Sequence, residues 1–347
     1  MRAVVLRGER DVAVEDVPDA GVPGPDGLLL RVDRTAICGS DLHLYHGPMT
    51  VPGAHLGHEF VGTVEAVGAD VRTVRAGDRV LVSGVIGCGT CPACRAGDVV
   101  VCGQLGTRVF GTSHDLPGGQ AELVGVPAAD TSVIAVPEAI STEQAVLLTD
   151  ILPTGYLGAQ RADITPGDVV VVIGLGPVGV FALQCAQLYG PSRILAVDVV
   201  PERLARAAEL GAEPIDASDG NTVAKVYDAT GGRGADAVIE AVGADQTISD
   251  AILCAGPGGT ISVIGVSMNF GLAFPMPVAL MKRLTFRVTL ASIPTTWPAL
   301  LPLVASGRLH PEDVFTHRMG LSEAAEAYRI FDARTDGVLK VLLDPAR

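Results

Sequence analysis

The chain has 347 residues, 48% of them hydrophobic and 18% charged, with a formal net charge of −14. That length exceeds what one hydrophobic core ordinarily holds, so two domains are expected, and aliphatic runs punctuated by 42 glycines and 23 prolines point to turn-rich globular structure and exclude disorder. The acidic balance, with no block of lysine or arginine, argues against a nucleic-acid or anionic-membrane partner, because phosphate recognition needs clustered positive charge.

Taken in chain order, the first part, to about Asp150, reads as short β segments separated by glycine and proline, at 3–6, 28–32, 61–67 and 79–82, with helix signals nearly absent. Its first residues show no cationic region followed by an apolar stretch and cleavage site, so a cytoplasmic protein is expected. From Gly167 the pattern changes to strand 169–173, helix 178–189, strand 194–197 and helix 201–210, with further strands at 237–241 and 260–266. Such alternation predicts a parallel sheet covered by helices. The stretch 169–192 carries no charged side chain and is long enough to cross a bilayer. Gly174, Gly176, Pro177 and Gly179 nevertheless break it into a strand and a separate helix, and Gln184, Gln187 and Tyr189 add groups that lipid would penalise. Beyond 288 the character is mixed, with helices at 297–305 and 322–332 and a last strand at 338–343. The resulting organisation is a β-rich domain over 1–152, completed by 289–347, with a dinucleotide-type domain inserted at 153–288.

Gly174, Gly176 and Gly179 form G-x-G-x-x-G between a strand and a helix. One glycine allows the tight turn, the next lets backbone approach a pyrophosphate, and the third permits close helix packing. An ordinary glycine-rich turn is the competing reading of the motif alone. The second strand ends at Asp198, where a carboxylate meets the ribose hydroxyls of NAD and repels a ribose phosphate. Arg203 keeps NADP open as the alternative.

Four of the seven cysteines, Cys88, Cys91, Cys94 and Cys102, give C-x2-C-x2-C-x7-C on a short loop rich in glycine. Four thiolates bind a tetrahedral zinc and leave no open position, which makes the ion structural, and a redox dithiol is the alternative. Cys185 and Cys254 stand in apolar segments and read as core residues.

Near the N-terminus stands Ile-Cys-Gly-Ser-Asp-Leu-His at 37–43, followed by Gly-His-Glu at 57–59. A thiolate and an imidazole there, with a third ligand from elsewhere, would leave a fourth zinc position for a substrate oxygen. Taken with the other two motifs, this resembles the zinc-dependent medium-chain alcohol dehydrogenases over essentially the whole chain. The resemblance implies an α/β protein with a GroES-like β-rich catalytic domain and a Rossmann coenzyme domain of doubly wound parallel sheet. It also implies two zinc ions per subunit and NAD as cofactor.

Carried over residue by residue, the resemblance makes Cys38 and His58 catalytic-zinc ligands and Asp150 the third, with Glu59 as an acidic neighbour able to exchange onto the metal. Ser40 becomes the hydroxyl that relays the substrate proton, and His43 a candidate outer member of the relay or else a surface residue. Thr154, Pro177 and Val178 join Gly174, Gly176, Gly179, Asp198 and Arg203 as cofactor contacts. Lys340 matches the basic residue that meets the pyrophosphate, a solvated strand-end lysine being the alternative. The stretch Asp-Ile-Leu-Pro-Thr-Gly-Tyr from Asp150, with Gly-Gly-Gln-Ala-Glu at 118–122, is most similar to the formaldehyde-dehydrogenase-like branch, without room for that branch's cofactor-covering loop. The implied reaction moves hydride between an alcohol, or an aldehyde or ketone in reverse, and NAD. A polyol, threonine or butanediol dehydrogenase is the enzymatic alternative, and a non-catalytic NAD- and zinc-binding sensor the other. A homodimer or homotetramer is expected, with 284–288 extending the sheet across a two-fold axis.

Overall fold

The computed structural model describes residues 1–47 and 51–347. The chain forms two compact units, one of residues 1–153 and 291–347, the other of residues 154–290.

In the first unit the described residues form a seven-stranded sheet. Its order runs His317–Gly320, Val341–Asp344, Leu28–Ala36, Glu59–Val67, Arg79–Val82 and Val133–Ala135, with Leu123–Val126 also pairing with Leu28–Ala36. Leu28, Leu30 and Val32 alternate inward along the long strand and meet Phe60, Val64, Val80 and Val82, the period-two burial expected of a half-covered sheet. Phe60 and Phe110 add an edge-to-face ring pair at 5.1 Å. A second core joins the hairpin Arg2–Gly8 and Asp11–Asp16 to the helix Ala324–Ala333 through Val4, Leu6, Tyr328 and Phe331. The residues beyond 291 supply one edge of this sheet, because Val341–Asp344 pairs antiparallel with Leu28–Ala36. Helices do interrupt the β-rich part, at Asp41–Tyr45, Pro92–Arg95, Ala129–Ser132 and Thr142–Leu147. The first three have only four or five residues, too few for an amphipathic repeat to register in the sequence.

The second unit is a six-stranded parallel sheet. Its order is Glu213–Asp216, Arg193–Asp198, Val169–Ile173, Ala235–Glu240, Ala255–Val263 and Thr285–Val288. The first strand in sequence lies at the centre and the order reverses there, which is the doubly wound arrangement with a ligand crevice at the carboxyl ends of the central strands. Val169–Ile173 is buried along its whole length, as a strand covered on both faces must be. The strand Glu213–Asp216 escapes sequence pattern reading because it is short, polar and lies at a sheet edge. Cys185 and Cys254 are fully buried core residues. No helix of the described residues is long and apolar enough to cross a membrane.

Candidate active site and metal centres

The four-cysteine loop folds around its own sulfurs. Cys88 Sγ lies 4.0 Å from Cys94 Sγ, and Cys91 Sγ 4.0 Å from Cys102 Sγ. A tetrahedron of Zn–S bonds of about 2.3 Å has edges of about 3.8 Å, so the spacing suits one ion, and no cysteine is bridged to another. Backbone amides of Cys88, Cys91, Gly103 and Leu105 donate to these sulfurs at 3.3–3.4 Å, the partners that thiolates need. The Thr90 hydroxyl and neighbouring amides hold the Cys88 thiol down at about 6, while burial pushes Cys94 up to about 12.

The second cluster is assembled by sheet pairing. Cys38 follows the strand Leu28–Ala36, and Ala36 stands opposite Glu59, so the end of one strand and the start of the next bring Cys38, His58 and Glu59 together. Leu342 pairs with Ala36 on the other side, which sets Lys340 at the same end. Asp150 comes from the turn before the helix Ile151–Arg161. Gly84 makes that approach possible: its amide donates to the Thr149 carbonyl at 3.0 Å, and a Cβ there would stand only 2.9 Å from the His58 carbonyl oxygen. Trp297 Nε1 fixes the same segment by donating to the Leu148 carbonyl at 2.9 Å.

One donor atom each of Cys38, His58, Glu59 and Asp150 falls within 4.8 Å of the others. Asp150 Oδ2 is 3.5 Å from Cys38 Sγ and 3.3 Å from His58 Nε2. The Ser40 hydroxyl is 3.3 Å from Cys38 Sγ and 3.3 Å from His58 Nε2. Burial and the Glu59 carboxylate push the Cys38 thiol up to about 11. At His58 burial is outweighed by Asp41 and Cys38, which hold the imidazole well above its usual value. Burial at Asp150 is likewise outweighed by the hydrogen bond and charge of His58 together with Lys340 and Cys38, leaving its carboxyl below the usual range. A thiol, an imidazole and two carboxylates are costly to keep ionised side by side, and a divalent cation removes that cost. Sulfur, nitrogen and oxygen donors in this number suit zinc.

Lys340 is fully buried, with its ammonium 2.7 Å from Oε1 and 2.6 Å from Oε2 of Glu59. It is therefore not a solvated strand-end lysine. Burial alone would neutralise both partners. The two-oxygen contact holds the lysine above its usual value, while burial leaves the Glu59 carboxyl raised in spite of it.

His43 is exposed on the helix Asp41–Tyr45 and is not brought into the cluster. Asp41, which the sequence reading passed over, is 1% exposed, with Oδ1 3.2 Å from His58 Nδ1 and Oδ2 accepting from the Cys38 amide at 3.0 Å. Its carboxylate thus lies against Nδ1 while Nε2 is the ring nitrogen near Asp150 and Ser40, the placement of the outer partner that a metal-binding histidine ordinarily has. An acid three residues after a cysteine ligand was the available signal.

In the second unit Gly174 has φ +89° and Gly176 caps the helix Pro177–Gln187. A Cβ at Gly179 would overlap the Gly174 carbonyl, so close helix-to-strand packing fixes that glycine. Asp198 is 8% exposed, its Oδ2 accepting from Leu175 N at 2.7 Å and its Oδ1 from Val199 N and Val200 N at 2.7 and 3.0 Å. Arg203 lies 3.8 Å from Asp198 Oδ2. Thr154 is half-buried on the helix Ile151–Arg161. Glu240, also missed, gathers Val242 N, Gly243 N and the Thr247 hydroxyl on Oε1 at 2.8–2.9 Å. It thereby holds the loop whose Val242 side chain lies against Gly174.

Fold and clusters together define a zinc-site oxidoreductase architecture with a dinucleotide crevice. Residues 24–138 match the alcohol dehydrogenase GroES-like domain and residues 177–306 the zinc-binding dehydrogenase domain. A probable zinc-binding alcohol dehydrogenase of Mycobacterium tuberculosis is 49% identical over 99% of this chain and 89% of its own length. An alcohol dehydrogenase structure from Thermus sp. ATN1 superposes with a TM-score of 0.93 at 44% identity, covering 99% of each chain. A zinc-binding dehydrogenase structure from Sinorhizobium meliloti, bound to NADP, gives a TM-score of 0.86 at 29% identity over 99% of each chain. The chain belongs to the zinc-dependent medium-chain alcohol dehydrogenase family, and it is a zinc-dependent oxidoreductase acting on small molecules.

Proposed function

We propose that the chain oxidises an alcohol, or reduces the matching carbonyl, with NAD, using Cys38, His58 and Asp150 as the ligands of its catalytic zinc and Glu59 as an acid able to join them. The observation that carries this reading is the convergence of those donor atoms within 4.8 Å beside the Ser40 hydroxyl. Zinc held there supplies Lewis-acid polarisation of a substrate oxygen. Ser40 Oγ, within reach of the same donors, takes the alcohol proton and passes it outward. Asp41 lies against His58 Nδ1, and Lys340 holds Glu59 in place through contacts to both of its oxygens.

NAD is favoured over NADP because the Asp198 carboxylate stands at the end of its strand, where a ribose phosphate would meet like charge. Four thiolates in Cys88, Cys91, Cys94 and Cys102 take the second zinc. The Asp150 motif favours the formaldehyde-dehydrogenase-like branch, and thiol ligands that must stay reduced favour the cytoplasm. The reading is tested with an alcohol and aldehyde panel followed at the NADH absorbance band with both cofactors. Turnover of primary alcohols with NAD at about tenfold higher kcat/KM than with NADP is expected from one charge-assisted hydrogen bond, and equal use of both cofactors overturns the NAD assignment.

A homo-oligomer is part of the same reading. Thr285–Val288 is an edge strand, and Val288, Leu280 and Met281 are 67%, 73% and 82% exposed near it, an apolar edge that a second copy would cover. Light scattering is expected to give a dimer or tetramer, and a monomer at micromolar concentration refutes it.

A further inference from the structure

Behind Asp41 lies a row of buried polar groups that ends in the C-terminal segment. Gln120 Nε2 donates to Asp41 Oδ2 at 3.3 Å and to the Ala36 carbonyl at 3.2 Å. Gln120 Oε1 accepts from the Tyr328 hydroxyl at 2.9 Å. Both residues are fully buried. The orientation of the amide follows from chemistry: two acceptors on one side demand the NH2 group, so the oxygen is left for Tyr328, which must donate.

The backbone is shaped to admit this arrangement. Gly57, directly before His58, has φ +97°, and a Cβ there would overlap the Gln120 side chain. Gln120 N donates to Leu56 O at 3.0 Å and Gly119 N to Gly57 O at 2.8 Å, so the glutamine is clamped against the segment that carries the histidine. Tyr328 is set by the core of the helix Ala324–Ala333, its ring 5.5 Å from that of Tyr45. Asp41 in turn touches both Cys38 and His58, so whatever fixes its carboxylate fixes the aim of two side chains.

We propose that Gln120 and Tyr328 are positioning residues for the catalytic metal. The row Tyr328, Gln120, Asp41 holds one carboxylate so that Cys38 and His58 present their donor atoms together. An apolar pair of the same shape would pack as well but would leave Asp41 with fewer donors in a dry site, free to turn away. This inference rests on Cys38 and His58 being zinc ligands.

The test uses the full-length protein with both sites loaded, in Tyr328→Phe and Gln120→Glu, two near-isosteric changes. Zinc release to a chromogenic chelator is followed in time, with release from the four-cysteine site as the reference inside the same chain. The catalytic phase is expected to quicken about threefold in Tyr328→Phe and about tenfold or more in Gln120→Glu, where two carboxylates would face each other, the effect of outer partners on metal affinity being about 10- to 100-fold. The four-cysteine phase should not change. With cobalt(II) in the catalytic site, the ligand-field absorption of both variants should shift. Should Gln120→Glu not fold, Tyr328→Phe alone decides, since it lacks a single hydroxyl. An unchanged catalytic phase with the parental cobalt spectrum overturns the proposal, as does equal acceleration of both phases with a lowered Tm, which marks a packing role. A Cys38→Ser control separates the two readings: loss of one zinc equivalent supports the ligand assignment, and retention of both overturns it before the outer row is judged.

Discussion

Cys88 and Cys102 are 14 residues apart, whereas Cys38 and Asp150 are 112 apart. The short loop encloses its donors in a segment whose buried side chains are Cys91, Cys94 and Cys102 themselves with Val99 and Val100. The distant set is delivered by paired strands, held in register by the backbone hydrogen bonds of the sheet. A loop with so little apolar surface leans on its ion for order, and the cost of ordering it is met by metal binding. The strand-built cluster is preorganised, so its ion is available for chemistry. Its donors also differ: four thiolates close a coordination shell, while a thiol, an imidazole and a carboxylate leave a place for substrate.

The sharpest way to break this contrast is Cys94→Ser. Loss of the loop's ion is expected to destabilise the fold by on the order of 4 kcal/mol or more, the range reserved for losses of this kind. The folded fraction should keep its catalytic zinc and its kcat. Thermal unfolding with metal analysis checks this, and an unchanged Tm would mean the loop does not need its ion.

Cys38→Ser is the mirror experiment. Turnover is expected to fall by more than about a hundredfold, beyond the upper end for an outer partner, with one zinc equivalent retained and Tm nearly unchanged. Parallel loss of stability would show that the two regions do not divide the work as described.

Asp150→Asn sharpens the account of the distant set. Zinc occupancy should drop and kcat/KM should fall about tenfold or more even with zinc supplied. Full occupancy there, with loss in Glu59→Gln, transfers the ligand role to Glu59.

The smallest effect is expected at the nucleotide turn, a third site built from neighbours in sequence. Asp198→Ala, assayed with both cofactors, should shift the kcat/KM ratio toward NADP by about tenfold, the worth of roughly 1 to 3 kcal/mol for a charge-assisted hydrogen bond. An unchanged ratio removes Asp198 from cofactor choice.

The glycine turn, the cysteine loop and the alternating strands and helices were legible because each is a relation between residues near in the chain. The helix expected over 178–189 forms as Pro177–Gln187, and the strand expected over 338–343 begins three residues later, at Val341. Lys340 thus precedes the strand, where its side chain turns in to Glu59 rather than out to water. Short edge elements such as Glu213–Asp216 left no trace, because a few polar residues carry no periodicity to read.

By itself the sequence determined the donor types, a parallel sheet covered by helices and the presence of two ligand sets, since spacing and period are properties of the chain. Only the tertiary structure decided that Asp41 serves both Cys38 and His58, that Lys340 meets Glu59 across 281 residues, and that Tyr328 reaches Gln120 across 208. Those pairings depend on strand order and register, and a buried polar group takes whatever partner the sheet sets beside it, because leaving it unpaired in a dry interior costs more than any local preference can offset.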